Sequence, residues 1–320
     1  MFGITKDVLS IDYVKKFFYI LPNIPRQVNI EITNKCNLDC KICKRKELKL
    51  PEVNLTFEMA KKIIDRLPEE IKEISLGGYG EPFINPEIYK IISYAKNKRK
   101  KVSITNNGWF MIKPENRRKA LENGVDILRF SVEDVNDVGS EGHLYSKHIL
   151  DALKELAQER NLGAYKTKLY FNTIVHKGNA EQISSIIAYA EKIGFDHIEL
   201  IHMDKKSNSI TNYLSTEEEI ALYKKIRQMP WKIKVTSLLD RYDGIRKYGF
   251  RKMTKCPLTY DTAHITLDGD VTPCHFGLPR YKIDNILQKD LKEIWNGTAF
   301  KDFRKDQLKV CQGCTLMNFN

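Results

Sequence analysis

The chain has 320 residues, of which 42% are hydrophobic, 29% charged and 10% aromatic. That is a globular composition, with neither the apolar poverty of a disordered chain nor an apolar run long enough to span a bilayer. Its 53 Lys and Arg against 41 Asp and Glu give a net charge of +12, spread along the chain apart from short clusters at 96–101, 116–119 and 246–252, so a solvated Lys-rich surface accounts for it as well as an anionic partner does.

The first stretch carries Lys6, Asp7, Asp12, Lys15 and Lys16 inside its apolar pattern and has no small-residue cleavage site. This argues against a signal peptide and predicts a cytoplasmic protein with no membrane partner. From residue 27, strand-like and helix-like segments alternate. The predicted pairs are 27–33 with 57–67, 73–78 with 86–97, 101–107 with 115–123, 126–132 with 146–160, 168–175 with 180–193, and 197–203 with 216–229. Six β-then-α units in order predict an α/β fold, a partial (β/α)6 TIM-like barrel, with a doubly wound sheet as the competing architecture.

After about residue 250 the pattern changes. Residues 263–274 read as two short strands joined at Asp268-Gly269, a hairpin signal, and 291–304 as a helix broken near Gly297. This predicts a small cysteine-rich β-hairpin and helix extension, in which metal ligation compensates for a minimal core. The expected organisation is an N-terminal extension over 1–26, a barrel over 27–235 and the cysteine-rich domain over 250–320.

The seven cysteines form two groups: Cys36, Cys40 and Cys43, then Cys256, Cys274, Cys311 and Cys314. An odd count without a signal peptide argues against a disulfide framework and for metal binding. Cys36-Asn-Leu-Asp-Cys40-Lys-Ile-Cys43 follows directly on the first predicted strand, where a β/α barrel gathers its functional groups. Three thiolates within eight residues can wrap a soft-metal centre. Structural zinc normally takes four closed ligands, and no nearby His or Cys supplies the fourth. Three ligands leave one position open, which suits an incompletely ligated four-iron cluster.

This C-x-x-x-C-x-x-C segment after a first barrel strand resembles the signature of the radical S-adenosylmethionine (SAM) superfamily. The resemblance implies a [4Fe-4S] cluster on Cys36, Cys40 and Cys43, with SAM chelating the fourth iron and being cleaved to a 5′-deoxyadenosyl radical that abstracts hydrogen. Gly77-Gly78-Tyr79-Gly80-Glu81-Pro82, at the end of the second strand, resembles the family segment that holds the SAM amino group. The resemblance further implies SAM contacts at Ile42, at the Thr105-Asn106-Asn107-Gly108 turn, at Ser131, and at Asn172 and Asn179. The segment after strand four lacks the Arg many relatives carry, which leaves Lys147 as the carboxylate partner. Each of these residues also has an ordinary reading as turn or strand-end chemistry.

Cys256, Gly269-x-x-x-x-Cys274 and Cys311-x-x-Cys314 resemble the twitch or SPASM extension, which implies an auxiliary [4Fe-4S] cluster; four-cysteine zinc is the alternative for this spacing. Four available cysteines can saturate such a cluster. That favours electron transfer over substrate anchoring, hence a radical SAM oxidoreductase or maturase carrying out two-electron oxidation of a peptide or cofactor precursor. Glu133, His202 and Asp204, at or just past strand ends, are the candidate proton acceptors. A lyase, mutase or cyclase that anchors substrate on the auxiliary cluster is the alternative enzyme class, and a zinc-binding nucleic-acid module a distant one. Neither zinc-finger nor aromatic RNA-binding signatures occur, which argues against nucleic acid. The resemblance implies an acidic ferredoxin or flavodoxin as electron donor. About 26 residues before the first strand are too few for a leader-recognition domain, so a small-molecule substrate stays open beside a peptide.

Overall fold

Strand β1 (Gln27–Glu31) buries Val28 and Ile30 on one face and turns Asn29 to the other. The same two-residue period runs through β2 (Glu73–Gly77), β3 (Lys101–Asn106), β4 (Ile127–Ser131), β5 (Lys168–Val175) and β6 (His197–His202). One face of this sheet carries Ile74, Leu76, Val102, Ile104, Leu128, Phe130, Leu169, Phe171, Ile198 and Leu200, all fully or almost fully buried in one apolar cluster with helix residues such as Ile63, Ile91, Leu121, Leu156 and Ile187. The other face carries Asn29, Glu31, Ser75, Thr105, Ser131 and Asn172, which line a cavity. Burying the apolar face under helices leaves the polar face to enclose the interior.

The computed structural model describes residues 22–40, 42–135, 147–203, 212–237, 240, 256, 258–275, 281–312 and 314. Among them, ten strands make one sheet in the order β10-β9-β8-β1-β2-β3-β4-β5-β6-β7. Strands β1 to β7 are parallel and sequential. The order never reverses, as a doubly wound sheet requires, so the architecture is the partial barrel. Helices Phe57–Asp65, Ile88–Asn97, Pro114–Glu122, Lys147–Leu162, Ile183–Lys192 and Thr216–Arg227 make the crossovers. Two are capped as their sequences dictate: Thr56 accepts from Met59 N, and Ser215 and Glu218 form a capping box.

Two features go beyond six strand–helix units. β7 (Lys234–Ser237) pairs in parallel with β6. Its four residues hold one buried side chain, so no hydrophobic alternation announces it, and the expected boundary at 235 falls inside it. The hairpin of β8 (Thr262–Ile265) and β9 (Asp270–Thr272) joins the barrel sheet itself, β8 running parallel to β1. The two-residue β10 (Asp284–Asn285) completes that edge. Gly269 turns the hairpin at φ +80, a conformation that favours glycine.

The C-terminal helices Leu291–Asn296 and Thr298–Lys305 meet at Gly297. Their core is richer than the minimal one expected. Leu291, Trp295 and Phe300 are fully buried, and the Arg304 guanidinium sits 3.9 Å from the Phe300 ring centroid and 4.2 Å from that of Trp295. Trp295 Nε1 donates to the carbonyl of Pro22 at 2.9 Å, which ties this extension to the segment entering β1. No helix among the described residues is long and apolar enough to cross a membrane.

Candidate functional site

Cys36, Cys40 and Cys43 lie on the loop leaving β1, all half-buried. The loop folds on itself through Cys43 N to Cys40 O at 3.1 Å, and the backbone amides of Leu38 and Arg45 donate to the sulfurs of Cys36 and Cys43 at 3.5 Å. Burial pushes the Cys40 thiol up to about 12, with further increments from Glu133, Cys43 and Cys36. Burial raises Cys36 as well, with Glu81 and Cys43 adding to it. Thiols that raise one another in this way form a donor set whose repulsion a bound cation reverses, so the set fits a thiolate-ligated metal centre. Among the described residues no three such side chains converge as ligands of one ion. A four-iron cluster asks less convergence, since each thiolate takes its own iron.

Behind this loop lies the turn after β2. Gly80 N donates to Thr33 O at 3.1 Å and Glu81 N to Lys35 O at 2.8 Å, which seats the turn against the residues just before Cys36. The buried Glu81 carboxyl accepts from Phe83 N at 3.2 Å and from Asn107 N at 2.8 Å. Burial raises its pKa to about 7 against those two bonds. Each oxygen still has a lone pair for an ammonium group. Asn107 in turn donates from Nδ2 to Asn37 Oδ1 at 2.9 Å, inside the cysteine loop. Asn106 faces away: its side chain donates to Arg129 O and accepts from Gly108 N, closing the turn after β3. Pro82 opens a short 3₁₀ turn that Glu81 caps.

Gly77, Gly78, Thr105, Ser131 and Asn172 line one cavity of about 270 Å³ at the carboxyl ends of the strands. Nothing lies within 4 Å of where a Gly77 side chain would begin, and Asn172 Oδ1 is buried without a hydrogen-bond partner among the described residues. An open glycine wall and an unsatisfied carboxamide oxygen fit a polar ligand that approaches the backbone closely.

The neighbouring wall, on the β1 and hairpin side, escaped the sequence reading. It comprises Asn29 and Glu31 of β1, His264 and Thr266 at β8, Thr272 of β9, and His275. Asn29 Nδ2 lies 3.2 Å from His264 Nδ1, and burial beside His275 holds His264 well below its usual pKa. The available signal was parity: Asn29 and Glu31 alternate with Val28 and Ile30, so they cannot share the helix-facing side.

Other sequence-predicted residues take different places. His202 shares the parity of Ile198 and Leu200 and is buried on the helix side, its Nδ1 against Glu219, which also accepts from Tyr223 OH at 2.8 Å. It does not line the cavity, which corrects its reading as a proton acceptor there. The rule that strand-end groups face the site fails at His202 because Ile201 is the inward residue. Glu133 is fully buried near Cys40, and burial pushes its carboxyl up to about 8. Asn179 donates to the carbonyls of Glu133 and Ile174, tying the ends of β4 and β5 together. Ile42 is half-buried in the cysteine loop, whereas Lys147 begins its helix on the exposed surface and does not line the cavity. Asp204 lies outside the described residues.

Cys256, Cys274, Cys311 and Cys314 are all buried. Burial pushes Cys256 up to about 12, with Cys274 and Cys314 close enough to raise it further, and Cys314 N donates to Cys311 O at 2.9 Å. Thr272 and His275, which flank Cys274, line the cavity from its C-terminal wall.

A partial barrel with a three-cysteine loop at its first strand, a glycine wall on its second and a cysteine-rich hairpin beside it agrees with the resemblance to SAM-cleaving iron–sulfur enzymes. Residues 30–205 match the sequence model of the Radical SAM superfamily, more than half of the chain, and residues 256–315 match SPASM, an iron-sulfur cluster-binding domain. The chain belongs to the radical SAM superfamily. Its cofactors are SAM, a [4Fe-4S] cluster in the barrel domain and auxiliary iron–sulfur in the SPASM domain. It is 25% identical over 312 residues to the tungsten-containing aldehyde ferredoxin oxidoreductase cofactor-modifying protein of Pyrococcus furiosus, covering 90% of this chain and 86% of that protein. It is 23% identical over 310 residues to the PqqA peptide cyclase of Gluconobacter oxydans, covering 92% and 84% respectively. The crystal structure of Streptococcus suis SuiB bound to S-adenosylmethionine superposes with a TM-score of 0.72 at 17% identity, over 95% of this chain and 74% of SuiB, a likeness of fold.

Proposed function

We propose that this radical SAM enzyme oxidises a peptide or a cofactor precursor by two electrons, with Cys36, Cys40 and Cys43 holding the SAM cluster and Cys256, Cys274, Cys311 and Cys314 the auxiliary one. When bound, the first cluster supplies the electron that splits SAM into methionine and a 5′-deoxyadenosyl radical, and the second a sink for one substrate electron. The observation that carries the reading is the four buried thiols of the SPASM domain, enough to satisfy a four-iron cluster, placed beside the wall that Thr272 and His275 give the cavity. The names of the Pyrococcus and Gluconobacter relatives, a cofactor-modifying protein and a peptide cyclase, support the substrate class.

The chain's own residues position and shield. Glu81, Asn107 and Asn37 hold the SAM turn against the cysteine loop. Gly77 leaves room for the ligand, Gly78 lets the turn pack against Glu31 and Thr33, and the polar interior binds what reacts. Burial favours the protonated form of Glu133 near Cys40, and Glu31 is the carboxylate on the cavity wall.

The test is anaerobic incubation with SAM and reductant beside candidate peptides and cofactor precursors, following two-hydrogen mass loss. The Cys311→Ala protein is expected to keep cleaving SAM while oxidised product falls to background. Coordination of substrate to the auxiliary iron, seen spectroscopically, overturns the oxidative reading in favour of substrate anchoring. The +12 charge leads us to expect an acidic ferredoxin or flavodoxin donor whose reduction rate falls as salt screens the encounter. A salt-independent rate removes the electrostatic argument.

A further inference from the structure

We propose that Tyr79 is a positioning residue that couples SAM binding to the auxiliary-cluster hairpin. The inference rests on the reading of Cys274 as an auxiliary-cluster ligand. Tyr79 stands in the middle of the SAM turn, yet its side chain leaves that turn and reaches the other domain. Its ring stacks on the imidazole of His275 with centroids 4.5 Å apart and planes 28° from parallel, and its hydroxyl donates to the backbone carbonyl of His275 at 2.5 Å. The residue before His275 is Cys274.

The adjacent Gly80 and Glu81 hold the other end. Their amides donate to Thr33 O and Lys35 O, immediately before Cys36. Three consecutive residues, 79–81, therefore touch both cysteine-bearing segments. The hairpin is seated at the same corner a second time, because His275 stacks on His264 at 5.7 Å and His264 meets Asn29 of β1.

A stacked ring that also hydrogen-bonds to the neighbouring backbone resists sliding and tilting together. A ligand that settles the 77–81 turn thus settles the backbone at His275, and a cluster that fixes Cys274 settles the turn. Such coupling is reciprocal by linkage, so the auxiliary cluster must strengthen SAM binding by the factor with which SAM acts on the hairpin.

A double-mutant cycle on the anaerobically reconstituted holoenzyme tests this, with SAM affinity from equilibrium dialysis as the readout and iron content measured beside it. In the Tyr79 protein, replacing Cys311 and Cys314 together with Ala, which leaves two of the four thiols, is expected to remove the auxiliary iron and weaken SAM binding about fivefold or more. In the Tyr79→Ala background the same change should alter affinity by less than about twofold, the limit for independent sites. Tyr79→Phe keeps the stack and loses the hydroxyl, so it should show an intermediate factor; it also serves if the alanine variant does not fold. A purely structural Tyr79 would lower affinity equally with and without the auxiliary cluster, and that additivity overturns the proposal. So does loss of iron in the double-cysteine variant with no change in SAM affinity. A double-cysteine variant that keeps all its iron sinks the ligand assignment, and the coupling with it.

Discussion

Replacing Cys36, Cys40 or Cys43 with Ala is expected to bring 5′-deoxyadenosine formation to background while leaving the barrel folded. The three sulfurs sit on a half-buried loop outside the apolar cluster, so their removal opens no cavity in the core. Their contribution is chemical. With SAM on the fourth iron, each thiolate answers for one of the remaining three, and no neighbour can substitute. The acidic groups behind the loop, Glu81 and Glu133, are fully buried, and Glu81 already accepts from two backbone amides, while Asp39 within the loop turns out to solvent. The measurement is 5′-deoxyadenosine after anaerobic reconstitution and reduction, with far-ultraviolet circular dichroism and iron content alongside. Normal formation in all three variants would sink the assignment of the cluster to this loop. A smaller decrease in only one would mean that a different residue supplies that ligand.

The partial barrel was legible in the sequence because its signal is doubly written. A two-residue period in the strands and a helical period between them must agree, and from 27 to 229 they do. β7 was not legible, since four residues with only Ser237 buried carry no hydrophobic period. Nor was the union of β8 with β1, because pairing between segments 235 residues apart, as in Asn29 with His264, leaves no local trace in either. Within the site, spacing marked the two cysteine groups as metal-binding candidates, and the glycine turn was singled out by its resemblance to the family segment. The neighbouring wall was not, because it is assembled from the inward positions of β1 and the hairpin. Asn29, Glu31 and His264 are single polar residues among apolar neighbours and gain meaning only when the sheet closes. His202 shows the converse. Being polar at a strand end made it a candidate, but one step of parity sends it to the helix side, where Glu219 and Tyr223 complete a buried cluster with it. Tyr79 belongs to the segment the sequence flagged, yet its partner His275 could be found only in three dimensions.

The glycines of that segment differ in what they permit, and this gives the second large effect. A methyl group at Gly80 would lie 2.4 Å from Lys35 O and 2.5 Å from Thr33 O. Both are backbone oxygens, so neither can rotate aside. The Gly80 amide also donates to that same Thr33 carbonyl, so relief of the clash breaks the bond that seats the turn. Gly80→Ala should therefore push the 77–82 turn away from the cysteine loop, at a cost typical of overpacking, about 1–3 kcal/mol. If that displacement falls on the SAM-bound state, affinity drops by about fivefold to 150-fold, since 1.4 kcal/mol is a factor of ten. Gly77→Ala is the informative partner. Among the described residues nothing lies within 4 Å of the added methyl there, so the fold should be unaffected while the methyl enters the cavity and competes with ligand. The expected pattern is lower stability with weaker SAM binding for Gly80→Ala, and unchanged stability with weaker SAM binding for Gly77→Ala. Equilibrium dialysis and chemical denaturation of the two proteins decide it. Wild-type SAM affinity in Gly80→Ala would show that the turn can leave the cysteine loop without consequence, and the seating of SAM on this turn would have to be abandoned.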